Sequence, residues 1–176
     1  STIKMNPNNE LPNNKNGTKI LLIEDNIDLI VFLRNELKKK YEVLVAYNGI
    51  EGYKMAEKYS PDLIISDIMM PKMDGIEFCK KIKSDIKTSH IQVILLTARA
   101  GKESIIEGIE IGADDYITKP FDIEYLILRI ENLLKSKERI RKSFQLKDAL
   151  IPSENKIKSL DEIFIEKLMD KINHGI

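Results

Sequence analysis

The sequence contains very little cysteine and no excess of charge of either sign. Its 176 residues include a single cysteine, Cys79, and no tryptophan, which excludes an intramolecular disulfide and a cysteine-rich metal site. Lys and Arg together number 28, as do Asp and Glu. This balance gives no overall electrostatic field that would indicate a nucleic acid, a membrane or an acidic partner.

Long apolar runs are also missing, and none approaches the ~20 residues of a membrane-spanning helix. We therefore expect a cytoplasmic protein that makes no membrane contact of its own. The sequence begins without Met, so we interpret it as a fragment of a parent chain, in which a neighbouring segment is a candidate for a membrane anchor.

Four segments differ in composition. Residues 1–17 hold six Asn and two Pro, so they cannot bury enough apolar surface to order themselves and are predicted to be a disordered tail or linker. Residues 18–143 carry the periodic patterns of one globular domain with an extended last helix. Residues 144–158, which include Pro152, are predicted to be a linker. Residues 159–176 combine a capping-box sequence with an apolar face, which predicts an extra C-terminal helix that begins a truncated second domain.

Strand and helix patterns alternate through the globular part. Short, apolar runs predict five strands, at Lys19–Ile23, Tyr41–Tyr47, Leu63–Asp67, Gln92–Leu96 and Asp115–Thr118. Helical spacing predicts five helices, at Ile27–Leu37, Ile50–Tyr59, Ile76–Ser84, Lys102–Ile111 and from Asp122 past Phe144. Continuously apolar strands that alternate with helices indicate a parallel sheet covered on both faces, and right-handed crossovers make it a doubly wound α/β fold.

Polar side chains stand at the ends of four of these strands. Glu24 and Asp25 follow the first strand, and Asp67 ends the third. Thr97 and Lys119 follow the fourth and the fifth. Because the carboxyl ends of parallel strands share one edge of the sheet, we expect these five side chains to converge there.

Three carboxylates at one edge need positive charge among them. Each pair repels by roughly 4 kcal/mol at about 4 Å and an effective dielectric constant near 20. Mg²⁺ suits such a site because it uses one or two carboxylates and leaves room for phosphate oxygens, and Lys119 adds a further positive charge. The combination predicts a site where Asp67 accepts a phosphoryl group and forms an aspartyl phosphate.

Four blocks of the sequence together resemble the receiver domain of bacterial two-component response regulators. They are the acid pair Glu24-Asp25, DIMMPKMDG from Asp67, LLTA around Thr97, and GADDYITKPF from Gly112 to Phe121. The resemblance runs from about Lys19 to Leu134 and implies a flavodoxin-like sheet of strand order 2-1-3-4-5. It also implies a signal-transduction switch that takes a phosphoryl group from a kinase phosphohistidine onto Asp67 and catalyses its own phosphorylation and dephosphorylation, without being a classical enzyme.

The same resemblance implies a role for each site residue. Mg²⁺ is held by the carboxylates of Glu24, Asp25 and Asp67 and by the backbone carbonyl of Met69. Thr97 and Lys119 contact the phosphoryl group, and Tyr116 matches the aromatic residue that switches with Thr97. The Lys119-Pro120 bond is cis in the family. Met69 and Arg99, two residues beyond Asp67 and Thr97, flank the path of the water that removes the phosphoryl group, and neither can orient that water well.

The resemblance also suggests partners and a parent protein. The phosphoryl donor is a histidine kinase domain. Phosphorylation is expected to change the face formed by the helix at Lys102–Ile111, the strand Asp115–Thr118 and the last helix, through which family members often form homodimers. The segment SLDEIFIEKLMDKI from Ser159 resembles the entry to an AraC-type DNA-binding domain, as in hybrid sensor kinase regulators that control transcription. We expect DNA to be bound only through that missing output domain.

The same residues allow other interpretations. A haloacid dehalogenase-type phosphatase also uses a nucleophilic Asp, but it needs a second acid where this chain has Met69. A receiver that only binds a partner is disfavoured because no acid, Thr or Lys is missing. A flavodoxin-like cofactor binder needs a phosphate-binding loop where this chain has Glu24 and Asp25. Singly, each site residue has an ordinary structural explanation, and only their joint order favours the functional one.

Overall fold

The structure is a computed structural model that describes residues 17–98 and 110–150, together with Ile106 and Met169. Its strands are β1 Lys19–Ile23, β2 Glu42–Ala46, β3 Leu63–Asp67, β4 Gln92–Thr97 and β5 Asp115–Thr118. Its helices are α1 Ile27–Leu37, α2 Gly49–Tyr59, α3 Gly75–Ser84 and α4 Ile123–Leu150. The predicted helix Lys102–Ile111 lies largely outside the described residues. Residues 1–16 and the predicted helix 159–176 lie outside them too, apart from Met169.

The five strands form one parallel sheet in the order β2-β1-β3-β4-β5, which confirms the predicted topology. The central strand β3 is buried along its whole length because it pairs with β1 on one side and β4 on the other. Parallel strands that are covered on both faces have no solvent-exposed side, and this explains why their sequences are apolar at nearly every position.

Alternate side chains of the sheet enter two separate cores. One core joins strand residues such as Leu22 and Ile65 to α1 and to the first part of α4, where Leu126 and Ile130 are fully buried. The other core packs the opposite face against α2 and α3, with Phe78 at its centre. The sheet is therefore fixed from both sides, and its carboxyl edge is a rigid platform.

The chain turns sharply where β3 ends. Asp74 caps α3 by accepting a hydrogen bond from the Glu77 N–H at 2.8 Å, and the Gly75 N–H donates to the Ile68 carbonyl at 2.9 Å. A Cβ atom at Gly75 would lie 2.3 Å from the Asp67 carbonyl oxygen. Only glycine therefore allows α3 to start this close to the end of β3.

Several predicted boundaries need correction. β2 is shorter by one residue at each end than the predicted strand, and α2 and α3 begin one residue earlier than predicted, which are ordinary differences at helix and strand ends. The larger error concerns the linker at 144–158, because α4 continues to Leu150. No Gly or Pro occurs between Pro120 and Pro152, so nothing in that stretch stops a helix.

The chain divides into two compact units, with the division between Lys135 and Ser136. The two cores described above belong to the first unit. Within the described part of the chain, no helix combines the length and the apolar character that crossing a membrane requires.

We expect Gly75→Ala to destabilise the protein. The added Cβ would collide with the backbone of β3, which cannot move aside, and overpacking of this kind costs about 1–3 kcal/mol even though Ala is the better helix former. Gly52→Ala in α2 is the matched control, because there a Cβ would meet the flexible end of the Ile23 side chain. Denaturant unfolding followed by circular dichroism measures both variants, and equal losses would contradict the explanation.

Candidate functional site

Three carboxylates meet at the carboxyl edge of neighbouring strands β1 and β3. Oxygen atoms of Glu24, Asp25 and Asp67 all lie within 4.8 Å of one another. Glu24 is 1% exposed and Asp67 is 5% exposed, whereas Asp25 is open to solvent. The three acids therefore lie close together, as predicted, with two of them buried and one at the surface.

Lys119 brings a positive charge into this group from the end of β5. Its Nζ lies 2.8 Å from Asp67 Oδ1 and 3.0 Å from Glu24 Oε2. The Lys119 N–H also donates to the Thr97 carbonyl at 2.6 Å, and the Lys119-Pro120 bond is cis. One ammonium group thus contacts both buried carboxylates.

Burial dominates the electrostatics of Glu24. It raises the pKa of the Glu24 carboxyl, and nearby Asp67 raises it further, against the opposing effects of Lys119 and of the Asn26 N–H. Burial alone would lower the pKa of Lys119, but its hydrogen bonds to Asp67 and Glu24 outweigh that effect and leave the pKa raised. Lys119 therefore holds its proton more tightly than a solvated lysine, and ionising Glu24 costs more than ionising a solvated glutamate.

The turn after β1 separates the acids from the capping of α1. Asn26 caps the helix by accepting from the Leu29 N–H at 3.1 Å. Glu24 Oε1 instead accepts from the Asp25 N–H at 3.2 Å and from the Asn26 N–H at 3.1 Å. Helix capping therefore explains Asn26 but not Glu24, which turns its second oxygen to Lys119.

Thr97 and Tyr116 lie on the same face of the sheet. Thr97 ends β4 and is 1% exposed. Thr97 follows Leu95 by two residues in β4, so both side chains lie on the same face of the sheet. Tyr116 pairs with Leu95 in the sheet register. It also packs against the core that contains Leu95. Thr97 and Tyr116, the predicted switch pair, therefore lie near the carboxyl edge of the sheet on the same face.

The residues predicted to tune dephosphorylation have different outcomes. Met69 lies on the loop after Asp67 and is 62% exposed. Arg99 lies outside the described residues.

Two residues that support the site were missed by sequence reasoning. The buried Ser66 hydroxyl donates to the Asp67 carbonyl at 3.0 Å, and Gly75 allows α3 to start close to the site. The only sequence signal for Gly75 was the Asp74-Gly75 pair, interpreted simply as a stop.

The donor set fits Mg²⁺. The three groups offer hard oxygen ligands, which this ion prefers, and the raised pKa of the Glu24 carboxyl shows that the site favours added positive charge. With all three acids ionised and Lys119 protonated, the four side chains carry a net charge of two negative units, which a divalent cation neutralises. Glu24, Asp25 and Asp67 are the residues that would hold the ion.

Fold and site together define a flavodoxin-like domain with an acidic pocket and a lysine at the carboxyl edge of its sheet. A family model described as the response regulator receiver domain matches residues 20–131. The chain therefore belongs to the response regulator receiver domain family, as its resemblance predicted.

The chain is also similar in sequence to named proteins. The chain is 46% identical over 158 residues to "Histidine kinase P4" of Formosa agariphila, a match that covers 90% of this chain and 12% of the relative. It is 40% identical over 124 residues to the "DNA-binding dual master transcriptional regulator RpaA" of Synechocystis, covering 69% of this chain and 51% of the relative. The chain thus spans at most about half the length of these relatives.

Solved structures resemble it as well. The chemotaxis response regulator CheY4 of Vibrio cholerae matches with a TM-score of 0.63 and 31% identity, over 66% of this chain and 98% of that one. The receiver domain of the Francisella response regulator 1452 matches with a TM-score of 0.64 and 34% identity, over 68% and 98%.

We expect Glu24→Gln to stabilise the metal-free protein at neutral pH and to raise its melting temperature by a few degrees. A carboxyl whose pKa is raised on folding binds its proton more tightly when folded, so stability falls as pH rises above the unfolded pKa of about 4.3 and through the folded pKa. Gln cannot ionise, so the variant avoids this loss of stability at neutral pH. Its side-chain oxygen can still accept hydrogen bonds from the two backbone N–H groups that bond Glu24.

The measurement is thermal unfolding as a function of pH in the presence of a chelator. Asp25→Asn serves as the control because it removes an exposed carboxylate of the same cluster. A Glu24→Gln protein with the wild-type stability and the wild-type pH dependence would refute the assignment.

Proposed function

We propose that this chain is a phosphoacceptor switch in which Asp67 takes a phosphoryl group from a histidine kinase. The observation that carries the proposal is the geometry of Asp67. Its carboxylate is almost fully buried at the end of a rigid strand, with Lys119 Nζ at 2.8 Å and two further carboxylates within 4.8 Å. A structural aspartate has no need of such an arrangement.

The transfer follows from these positions. An Asp67 oxygen attacks the phosphorus of the phosphohistidine, a P–O bond forms, and the P–N bond breaks with its electron pair going to the imidazole nitrogen, which then takes a proton. Lys119 neutralises charge on the phosphoryl oxygens, and the Thr97 hydroxyl donates a hydrogen bond to the product. Mg²⁺, when bound, would supply further charge neutralisation, with Glu24, Asp25, Asp67 and the Met69 carbonyl as its ligands.

This activity is self-modification rather than the turnover of a separate substrate. A phosphatase of the haloacid dehalogenase type is disfavoured because the position two residues beyond its nucleophile must carry an acid. Here that residue is Met69, whose exposed thioether cannot move a proton. A partner-binding receiver without phosphorylation is disfavoured because the buried acid pair would carry its electrostatic cost without use.

Phosphorylation would act as the switch. The phosphoryl group adds a charge of about −1.5 to −2 at neutral pH. This charge draws the Thr97 hydroxyl towards Asp67, and Tyr116 turns into the space that Thr97 leaves, because both lie on one face of the sheet. The surface around β5 and α4 then changes, together with the helix predicted at 102–111.

The same surface is our candidate for a phosphorylation-dependent homodimer. Tyr125 and Leu128 are exposed on α4 and are available to a second copy, whereas Leu126 and Ile130 are used by the receiver's own core. Arg129 is ion-paired with Asp115 in the same chain, so its use between copies would require that pair to exchange.

For the whole protein we propose a cytoplasmic regulator within a larger, membrane-anchored hybrid sensor kinase. Relatives named "Histidine kinase P4" and "Hybrid signal transduction histidine kinase D", and others named as transcriptional regulators, support a kinase parent and a transcriptional output. In this view residues 1–17 are a linker, residues 18–143 the receiver, and residues 159–176 the start of an AraC-type domain that would recognise DNA bases.

Exposure to acetyl phosphate and a magnesium salt tests the central proposal. We expect intact-mass spectrometry to show the gain of one phosphoryl group, with peptide mapping to Asp67, and the gain should be lost with a chelator. Asp67→Asn should abolish it. Asp28→Asn, which removes an exposed carboxylate just outside the cluster, should leave it unchanged, and labelling that persists in Asp67→Asn would overturn the proposal.

Loss of the phosphoryl group should be slow in this chain. Met69 can obstruct an attacking water with its apolar side chain, and neither its thioether nor the Arg99 guanidinium can orient that water as a carboxylate or an amide would. We expect Met69→Asn combined with Arg99→Glu to lose phosphate at least several-fold faster, as measured by release of inorganic phosphate after removal of the donor. A Met69→Leu variant, which stays apolar, should behave like wild type. An unchanged rate in the double variant would remove the explanation.

A further inference from the structure

The last part of α4, residues 136–150, is an exposed and strongly basic helix. Every residue from Glu138 to Leu150 is exposed. The segment contains the bases Lys137, Arg139, Arg141, Lys142 and Lys147 against the acids Glu138 and Asp148. It therefore carries three net positive charges, although the whole chain is neutral.

Three bases of this helix lack a compensating charge among the described residues. Lys142 Nζ pairs with Glu138 Oε1 at 3.0 Å, whereas Arg139, Arg141 and Lys147 form no ion pair in that part of the chain. Arg139 and Lys142 are three residues apart, so they are neighbours on the helix surface and repel each other. A polyanionic partner would relieve this repulsion.

The apolar residues do not form a continuous face. Ile140 and Phe144 share one side of the helix, and Leu146 and Leu150 share another. Lys147 projects between these two sides, and Ser143 lies beside it. A helix that lies on a membrane needs one unbroken apolar face, so a lipid surface fits this segment poorly. Pairing with a second copy would bring together two helices of equal positive charge.

We propose that the basic helix contacts the phosphate backbone of double-stranded DNA without reading its sequence. Arginine presents a planar fork of N–H donors that matches phosphate geometry, and lysine supplies a point charge. Charge on several sides of one helix suits a groove bordered by two phosphate strands. Such contacts position a protein on DNA, whereas base contacts give specificity.

This inference departs from the expectation that DNA is bound only through an output domain. Base recognition would belong to such a domain under the proposed function, while a sequence-independent contact lies within this chain. The inference does not rest on phosphorylation of Asp67, because the basic helix lies far along the sequence from the acid cluster and its charge is permanent.

The test is fluorescence anisotropy of the full 176-residue chain with a labelled duplex of about three helical turns and arbitrary sequence, between about 50 and 200 mM salt. We expect binding that weakens linearly with the logarithm of salt concentration. The variant Arg139→Gln, Arg141→Gln and Lys147→Gln should bind at least about tenfold more weakly at the lowest salt, with a salt slope smaller by about 1 to 3.

The matched control is Lys54→Gln, Lys80→Gln and Lys87→Gln, which removes the same charge from exposed positions on α2, on α3 and after α3. It should bind as wild type does, and circular dichroism should show equal helix content in all three proteins. If both variants bound DNA equally weakly, the binding would depend only on the net charge of the chain, and the proposal would be overturned. No salt-dependent binding, or tighter binding to anionic phosphatidylglycerol vesicles or to polyglutamate than to DNA, would overturn it as well.

Discussion

The ammonium group of Lys119 between Glu24 and Asp67 is the contact on which the site depends. Two carboxylates that are nearly removed from water repel each other when both carry charge, and a close positive charge offsets that repulsion. Lys119 supplies that charge at 2.8 and 3.0 Å. The three side chains come from three strand ends, so the contact also ties the edge of the sheet together across β1, β3 and β5.

The fold around this contact holds Asp67 in place through backbone geometry. Ser66 bonds the Asp67 carbonyl, and the start of α3 approaches so closely that only Gly75 fits. Both faces of the sheet are packed against helices, so the edge cannot relax to separate the acids. The rigid core therefore keeps like charges together that would otherwise move apart.

This arrangement reduces stability in return for chemistry. The raised pKa of Glu24 is a measure of how poorly the metal-free site tolerates the anion. Under the proposed function, the same deficit of positive charge would favour a divalent cation and, with it, an anionic phosphoryl donor. Asp25 differs because its side chain is exposed to solvent.

The doubly wound fold and the meeting of Glu24, Asp25, Asp67 and Lys119 at one edge could be predicted from apolar runs and polar strand ends, because parallel strands end at a common edge. The strand order was implied only by the resemblance of four local motifs to the receiver family. The sequence predicted helix and strand ends less well, and it placed a linker where α4 continues to Leu150, since helix length depends on the absence of a breaker as much as on periodicity.

Which of the acids are buried depends on how the folded elements pack. Glu24 and Asp25 are adjacent and chemically alike, yet one is enclosed and the other is in water. Burial depends on which strand and helix cover a side chain, and no local pattern contains that information. The same holds for the partners of Lys119 and for Gly75, whose need for a missing Cβ arises from the approach of α3 to the end of β3. These distances are set by packing between elements far apart in sequence, and packing is a property of the folded chain.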